Sequence, residues 1–466
     1  MTILEAMSDE RLFAPQFAPA ATWDTWRVFL AALFALPLGE AELALYRAHT
    51  GRRVPPEAPA GESWVVVGRR GGKSRVAALV AVYLGCFRDF SRALAPGERG
   101  TVMLLAEDRR QARVVFRYIR ELLTVPLLAP LVAAERAEGI DLTNGVTIEV
   151  HTASFRTVRG YTVVAAILDE VAFWRTDDAA EPDHEIVAAL RPGMATVPGA
   201  LLLGISSPYA RRGVLWQAWR EHYGRDGSDT LVWQAPSEAM NPTILARVVE
   251  RAYAEDPTSA AAEWGAEFRT DVESFLTREA IEACCAPDCR EQWPRSDLSY
   301  FAFVDPSGGS GDSMTLAVAH REEGEEGAPP RAVLDLVREV RPPFSPESVV
   351  AEFTSVLRAY RLSSVEGDRY AGEWPRERFS VHGIDYRPAA KPKSELYREL
   401  LPLLNSGRAT LLDLPRLVGQ LAGLERRTAR GGRDSIDHAP GAHDDVANAA
   451  AGALVGALAA SAVLLW

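Results

Sequence analysis

The sequence predicts two α/β units in tandem, and three observations lead there. Short β-branched runs alternate with helical periodicity from "SWVVVG" to "ALLLGISSP", the pattern of a mainly parallel sheet covered by helices. The alternation lapses between 241 and 298 and resumes at "SYFAFVDPSGG". A chain of 466 residues, 47% hydrophobic and 24% charged, is long and apolar enough for two or three globular domains. The boundaries read as a helical lead-in over 1–60, a first α/β unit over 61–275, a linker over 276–298 and a second unit over 299–466.

The elements follow in order. Apolar runs around Phe29 to Leu38 and Leu43 to Tyr46 predict helices, closed by the Pro/Gly-rich connector "RRVPPEAPAGES". "SWVVVG" is a strand that turns through glycines into an apolar helix over Val76 to Leu84. "GTVMLLAED" is a second strand, followed by a basic amphipathic helix from Arg109 to Leu123. "GVTIEVHTA", "TVVAAILDE" and "ALLLGISSP" complete the strands of the first unit. In the second, "MTLAVAHREEGEEGAPPRAVLDLVREV" reads as two strands around an acidic turn. A helix from Glu347 to Tyr360 leads into the strand "LSSVEGD", and further helices close the chain. No internal repeat is present.

Composition narrows the function classes. A net charge of −12 argues against a protein that simply coats nucleic acid, although a local basic channel survives such a total. The four cysteines fit a reducing compartment. "CCAPDC" matches no common zinc spacing and reads as linker. "MTILEAMSDERL" carries acids where a signal peptide needs a basic segment. The uncharged run from Val446 to Trp466 is Ala/Gly-rich without closely flanking Lys or Arg, so a buried helix is expected rather than a membrane span.

One group of residues points to nucleotide hydrolysis. "VVVGRRGGKSRVAAL" sets Gly-Lys-Ser at a strand-to-helix turn, where Gly68, Arg69, Arg70, Gly71 and Gly72 let backbone N–H groups wrap phosphate. Lys73 would reach the β and γ phosphates, and Ser74 would offer Mg²⁺ a hydroxyl. The usual loop has glycine at position 67; here Val67 stands there and glycine follows one residue later. About a hundred residues on, "VVAAILDEVAFW" ends an apolar strand in Asp169 and Glu170. An acid so placed holds Mg²⁺, and the next polarises water. Arg69 lies in the loop. Arg159, just before the acidic strand, is a candidate finger for the γ-phosphate of a neighbouring subunit. Ser206 and Ser207, at a strand tip, are placed to sense that phosphate.

A second group points to phosphodiester cleavage with divalent metal. Asp305 ends one apolar strand, with Asp312 just beyond; Glu366 and Asp368 end another; Asp444 and Asp445 open the terminal helix. Three acidic termini converging on one site would suit two Mg²⁺ or Mn²⁺ ions, and the ions would offset the repulsion between adjacent aspartates. His443 is a candidate base or metal neighbour, and His438 a weaker one. Arg376, Arg378, Arg387, Lys391, Lys393, Arg398, Arg426, Arg427, Arg430 and Arg433 interleave with Trp374, Tyr386 and Tyr397, the composition of a DNA backbone groove.

Taken in order, "GRRGGKS", "TVRGYTVVAAILDEVAFW", "GISSPYARRG", "VDPSGGSGDS" and "GAHDDVANA" resemble the large terminase subunit of tailed bacteriophages and prophages, from about Leu36 to the end. The resemblance implies a P-loop ATPase of the ASCE type, in which a carboxylate polarises the attacking water, followed by an RNase H-like nuclease. It implies ATP and Mg²⁺ at Arg69, Lys73 and Ser74, with Asp169 as the Walker B acid, Glu170 as the catalytic carboxylate, and Ser206 and Ser207 as the coupling motif. In the nuclease it implies Asp305, Asp368 and Asp444 or Asp445 as ligands of two Mg²⁺ or Mn²⁺. The middle acid stays open between Glu366 and Asp368, and the last leans to Asp445. No glutamine motif for adenine is evident upstream; Tyr46 and Arg47 are the candidates in its place. The implied partners are double-stranded viral DNA, a small terminase subunit and the portal of a procapsid, with no membrane. Copies would form a pentamer on the portal and stay monomeric in solution, in the host cytoplasm and not in the mature virion. The competing readings are a helicase-nuclease of repair or recombination, and an inactive prophage assembly protein.

Overall fold

The computed structural model describes all residues except 108, 154–157, 175–181, 325–327, 370–372, 429–433, 440–441 and 461–466. Arg430, Arg433 and the last six residues of the apolar terminus therefore lie outside the described residues. The chain divides into one unit reaching to Thr270 and a second from Asp271 onward.

The first unit is an eight-stranded sheet. Its strands are β1 (Glu62–Val67), β2 (Gly100–Ala106), β3 (Val132–Arg136), β4 (Gly139–Leu142), β5 (Val146–Thr152), β6 (Thr162–Asp169), β7 (Leu201–Ser206) and β8 (Thr230–Ala235). They lie in the order β3-β4-β5-β2-β6-β7-β1-β8, parallel from β5 to β8, with the β3–β4 hairpin added antiparallel at one edge. Parallel strands covered on both faces need apolar residues in both phases, which is why β1 reads as an unbroken apolar run. Val65 and Val67 enter one core with the helices Asp24–Leu33, Lys73–Phe87 and Arg109–Leu123; Trp64 and Val66 enter the other with Pro182–Met194 and Gly213–His222. The lead-in is part of this core: Ile3, Phe13, Trp26 and Phe29 are buried in the same cluster as β1. Tyr46 is fully buried too, its hydroxyl donating to Val54 O at 3.0 Å, while Arg47 Nε donates to Arg53 O at 3.1 Å. β3 and β4 had no strand signal because "VAAERAEGIDL" is polar and β3 is largely exposed.

The second unit contains β9 (Val272–Ser274), β10 (Cys285–Ala286), β11 (Tyr300–Asp305), β12 (Met314–Glu322), β13 (Arg331–Val340), β14 (Ser364–Gly367), β15 (Asp385–Pro388), β16 (Ala409–Leu412), β17 (Leu424–Thr428) and β18 (Asp434–His438). Its main sheet runs β10-β16-β13-β12-β11-β14-β15; β18-β17-β9 form a small second sheet. β11, β12 and β13 are an antiparallel meander, and β14 and β15 add parallel beside β11. That meander with two parallel additions is the RNase H-like arrangement. The stretch read as linker packs inside this unit: Leu276, Ile281 and Cys284 are buried in its core, and β10 extends its sheet. The buried Cys284 thiol donates to Leu404 O at 3.3 Å.

The helix Asp445–Ala460 explains its own Ala/Gly composition. It lies on β11 so closely that a Cβ at Gly452 or Gly456 would run into the ring of Phe303 or Phe301. Small residues there are a packing requirement, and among the described residues no helix is long and apolar enough to cross a membrane. Gln420, from the helix Pro415–Ala422, accepts from Val446 N at 2.8 Å and Ala447 N at 3.0 Å, pairing two N–H groups that a helix start leaves without partners. Gly452→Ala is expected to cost about 1–3 kcal/mol through overpacking against Phe303, measured by urea unfolding; an unchanged midpoint would show that the helix is free to shift outward.

Candidate active sites

In the first unit, strand register assembles the site. Val66 pairs with Ser206 and Asp169 with Ile205, so the ends of β1, β6 and β7 come level. One strand, β7, separates the strand of the phosphate loop from the acidic strand, the ASCE order. Gly68 is where the sequence puts it because a side chain there would meet Ser237 and the carbonyls of Trp264 and Glu263, the latter two at 2.7 and 2.8 Å; Val67 is instead a buried residue of β1. Gly72 has φ +92°, which favours glycine, and packs against Trp23 and Trp26. The loop is fastened from outside by three bonds: Trp26 Nε1 to Gly71 O at 2.7 Å, Ser237 Oγ to Arg69 O at 2.7 Å, and Asn241 Nδ2 to Arg70 O at 2.8 Å. Sequence reading missed all three fasteners, since their partners are backbone atoms far away in the chain.

Lys73 begins the helix after the loop and is buried. Its ammonium donates to Val67 O at 2.9 Å, Gly68 O at 3.2 Å and Ser207 Oγ at 2.8 Å, and pairs with Glu170 Oε1 at 3.3 Å. Burial lowers its pKa, and Glu170 opposes that. Glu170 sits at φ +50°, a strained conformation for a non-glycine residue. Its Oε2 accepts from Ser206 Oγ at 3.2 Å and Ser207 N at 3.1 Å. Asp169 is buried and pushed up to about 7, first by burial and then by Glu170; its Oδ1 has no hydrogen-bond partner. An orphaned buried carboxylate oxygen at the end of β6 fits a Mg²⁺ and its water shell.

Two arginines do not join this cluster within the chain. Arg69 turns outward to Glu263, Nη2 to Oε1 at 3.2 Å, with more than half its side chain exposed. Arg159 is exposed and precedes the first residue of β6, while Asp169 is the last; eight residues of strand, roughly 26 Å, separate those edges.

In the second unit, β11 and β14 are adjacent and parallel, with Phe303 beside Glu366 and Val304 beside Gly367. The next register step sets Asp305 beside Asp368, and Glu366 falls one pleat back, beside the apolar Phe303. Asn448 closes the site from the helix Asp445–Ala460: its Nδ2 donates to Asp305 Oδ2 at 3.0 Å and Asp368 Oδ2 at 3.3 Å. Asp305 is pushed well above the usual carboxylate range by burial and by Asp445, Asp444 and Asp368, while the Asn448 hydrogen bond opposes the rise.

The adjacent aspartates divide their work. Asp444 accepts from Tyr397 OH at 2.9 Å and pairs with Lys393 Nζ at 3.1 Å, so the protein supplies its countercharge. Asp445 accepts from Ser313 N at 3.3 Å and is pushed up to about 6 by burial, with the nearby His443 opposing that. Asp305 and Asp368 share Asn448 Nδ2, and Asp445 lies near enough to Asp305 to raise its pKa, although the three carboxylates do not all come within 4.8 Å of one another; oxygen donors of this kind suit Mg²⁺ or Mn²⁺. His443 pairs with Asp312 at 3.4 Å. Asp437, His438 and Asp444 also cluster, but the Lys393 ammonium already bridges Asp437 at 2.7 Å and Asp444.

Several of the basic residues read as a DNA groove pair with acids. Arg378 pairs with Glu347, Arg387 with Asp385, Lys391 with Glu399 and Arg427 with Glu425, and Tyr386 and Tyr397 are buried. Glu347 and Glu399 come from other elements, while Asp385 and Glu425 stand two residues away on the same strand as their arginines.

Linkage fixes a pH response. A carboxylate whose folded pKa is raised keeps its proton where the unfolded chain has lost it, so stability grows as pH falls from about 7 toward about 4. Without metal or nucleotide, the melting temperature should therefore rise between about pH 7 and pH 5, more steeply than in Asp305→Asn. Identical slopes in the two proteins would mean that Asp305 is not a strained acid.

The fold and these two sites define a class: an α/β unit with a phosphate-loop sequence and an acidic strand end, joined to an RNase H-like unit that carries a cluster of acids. No protein-family model matches the chain, and no curated protein does. Among solved structures the chain is similar to large terminases of bacteriophages. For that of bacteriophage HK97 the identity is 17% over 85% of this chain and 91% of the other, with a TM-score of 0.36. For the large terminase of a thermophilic bacteriophage it is 11% over 95% and 99%, with 0.41. For the large terminase nuclease of thermophilic phage G20c it is 17% over 39% and 96%, with 0.33.

Proposed function

We propose that this chain is a terminase large subunit, which drives double-stranded viral DNA into a procapsid with ATP and cuts concatemeric DNA with divalent metal. One observation supports the reading above others: the Lys73–Glu170–Asp169 cluster at the phosphate loop and the Asp305–Asp368–Asn448 cluster occupy successive units of one chain. ATP would lie on the loop amides with Lys73 on its β and γ oxygens, competing with Glu170 for that ammonium. Glu170, released from Lys73 but still held by Ser206 and Ser207, would then orient the attacking water. The β7 serines touch both Lys73 and Glu170, so a change at the phosphate is transmitted to a sheet strand. Mg²⁺ held by Ser74 and Asp169 would neutralise phosphate charge.

In the second unit Asp305, Asp368 and Asp445 would hold two ions, which activate water and stabilise the leaving oxygen. Lys393 and Tyr397 fix Asp444, and through it the start of the helix that presents Asp445. Arg159 is assigned to the nucleotide of a neighbouring copy, in a pentameric ring on a portal. Duplex viral DNA, a small subunit and that portal are the partners, and the host cytoplasm the place. The helicase alternative is less favoured, because the second unit has RNase H-like topology where a second motor would stand. ATP-dependent displacement of a triplex-forming strand from duplex DNA tests translocation without unwinding. Separation of the duplex strands instead would favour the helicase, and absence of DNA-stimulated turnover would defeat both.

A further inference from the structure

We propose that Asn448 is a fourth protein ligand of the cation site, its carboxamide turning from nitrogen-inward to oxygen-inward when the ion enters. The inference rests on the nuclease reading above. Asn448 is 1% exposed and stands one turn after Asp445 on the same helix. Its Nδ2 gives one proton each to Asp305 and Asp368, acids from two different strands. Without a cation, that amide nitrogen is what holds the two carboxylates together.

The other end of the carboxamide is the informative one. Asn448 Oδ1 is buried and has no hydrogen-bond partner, a costly condition for a carbonyl oxygen. A cation shared by Asp305 and Asp368 would stand where Nδ2 now points, and an N–H cannot face a cation. The side chain is itself buried, at 1% exposure, and is held by both acids. A half-turn about the terminal torsion, which is soft and nearly two-fold, exchanges the two ends in the same volume. Oδ1 then faces the ion as a hard, neutral oxygen donor of the kind these cations accept. Neutrality accounts for the residue type. An aspartate there would add a fourth carboxylate to Asp305, Asp368 and Asp445 and would have no proton to give them before the ion arrives.

The test is Mn²⁺ titration of the full chain without nucleotide by calorimetry, with metal-free melting alongside. Asn448→Leu is expected to weaken Mn²⁺ binding by about 10–100-fold. Asn448→Asp should bind Mn²⁺ at least as tightly as the parent while melting at lower temperature without metal. If Asn448→Leu fails to fold, Asn448→Asp decides: tenfold weaker binding would mean that the amide serves only as a donor, and the proposal is overturned. Asn448→Leu binding like the parent overturns it equally. Asp305→Asn separates the two levels. Lost binding there, beside intact binding in Asn448→Leu, defeats the Asn448 role alone; intact binding in Asp305→Asn defeats the metal site itself.

Discussion

Lys73→Ala should reduce DNA-stimulated ATP turnover by about 10²–10³-fold or more, the scale of losing one preorganised donor to developing charge. The geometry makes a larger loss the expectation. Lys73 is the hub of the site, touching Val67, Gly68, Ser207 and Glu170, so its removal takes away the phosphate contact and also the cation that holds Glu170. Asp169 and Glu170 then face each other without a countercharge, and Asp169 should bind a proton still more readily than its present value of about 7. Lys73→Met, which keeps the buried stem, separates charge from packing. If it hydrolyses ATP like the parent, Lys73 is a structural residue. Mn²⁺-dependent nicking should persist in both variants, because the acids that support it lie in the other unit.

Asp305→Asn should do the reverse: ATP turnover intact, nicking down by about a thousandfold or more, since metal-ion stabilisation of a cleavage transition state contributes several kcal/mol. It should also raise the metal-free melting temperature. Asp305 is a carboxylate pressed among Asp445, Asp444 and Asp368 in a buried setting, and the amide removes that repulsion. A substitution that destroys an activity while stabilising the fold is the signature of an acid retained for its ligand. A lower melting temperature would show that Asp305 is held by structure instead.

Much of this was legible in the chain. The phosphate loop, the acidic strand end and the strand-end aspartates are local patterns: a strand, a turn and a helix start each announce themselves within about ten residues. The parts that were not legible depend on distant partners. Glu366 and Asp368 look alike in "SSVEGDRY"; only the register of β14 on β11 sets Asp368 beside Asp305. Asp444 and Asp445 are neighbours in sequence, yet Lys393 and Tyr397, some fifty residues earlier, engage the first, while the second accepts from Ser313 N. The basic residues read as a DNA groove were likewise read without the acids that pair with several of them, Glu347 and Glu399 from other elements among these.

The sequence by itself determined the two α/β units, the order of their strands along the chain and the residue types that carry the chemistry, because hydrophobic periodicity and turn chemistry act over one or two turns of backbone. Tertiary structure decided which acids stand together, that Asp444 is held by Lys393 and Tyr397, why glycine stands at 68 and at 452, and that Asn448 bridges Asp305 and Asp368. Those outcomes depend on which strands become neighbours and how closely a helix can approach them, and both are set by side chains far apart in the chain.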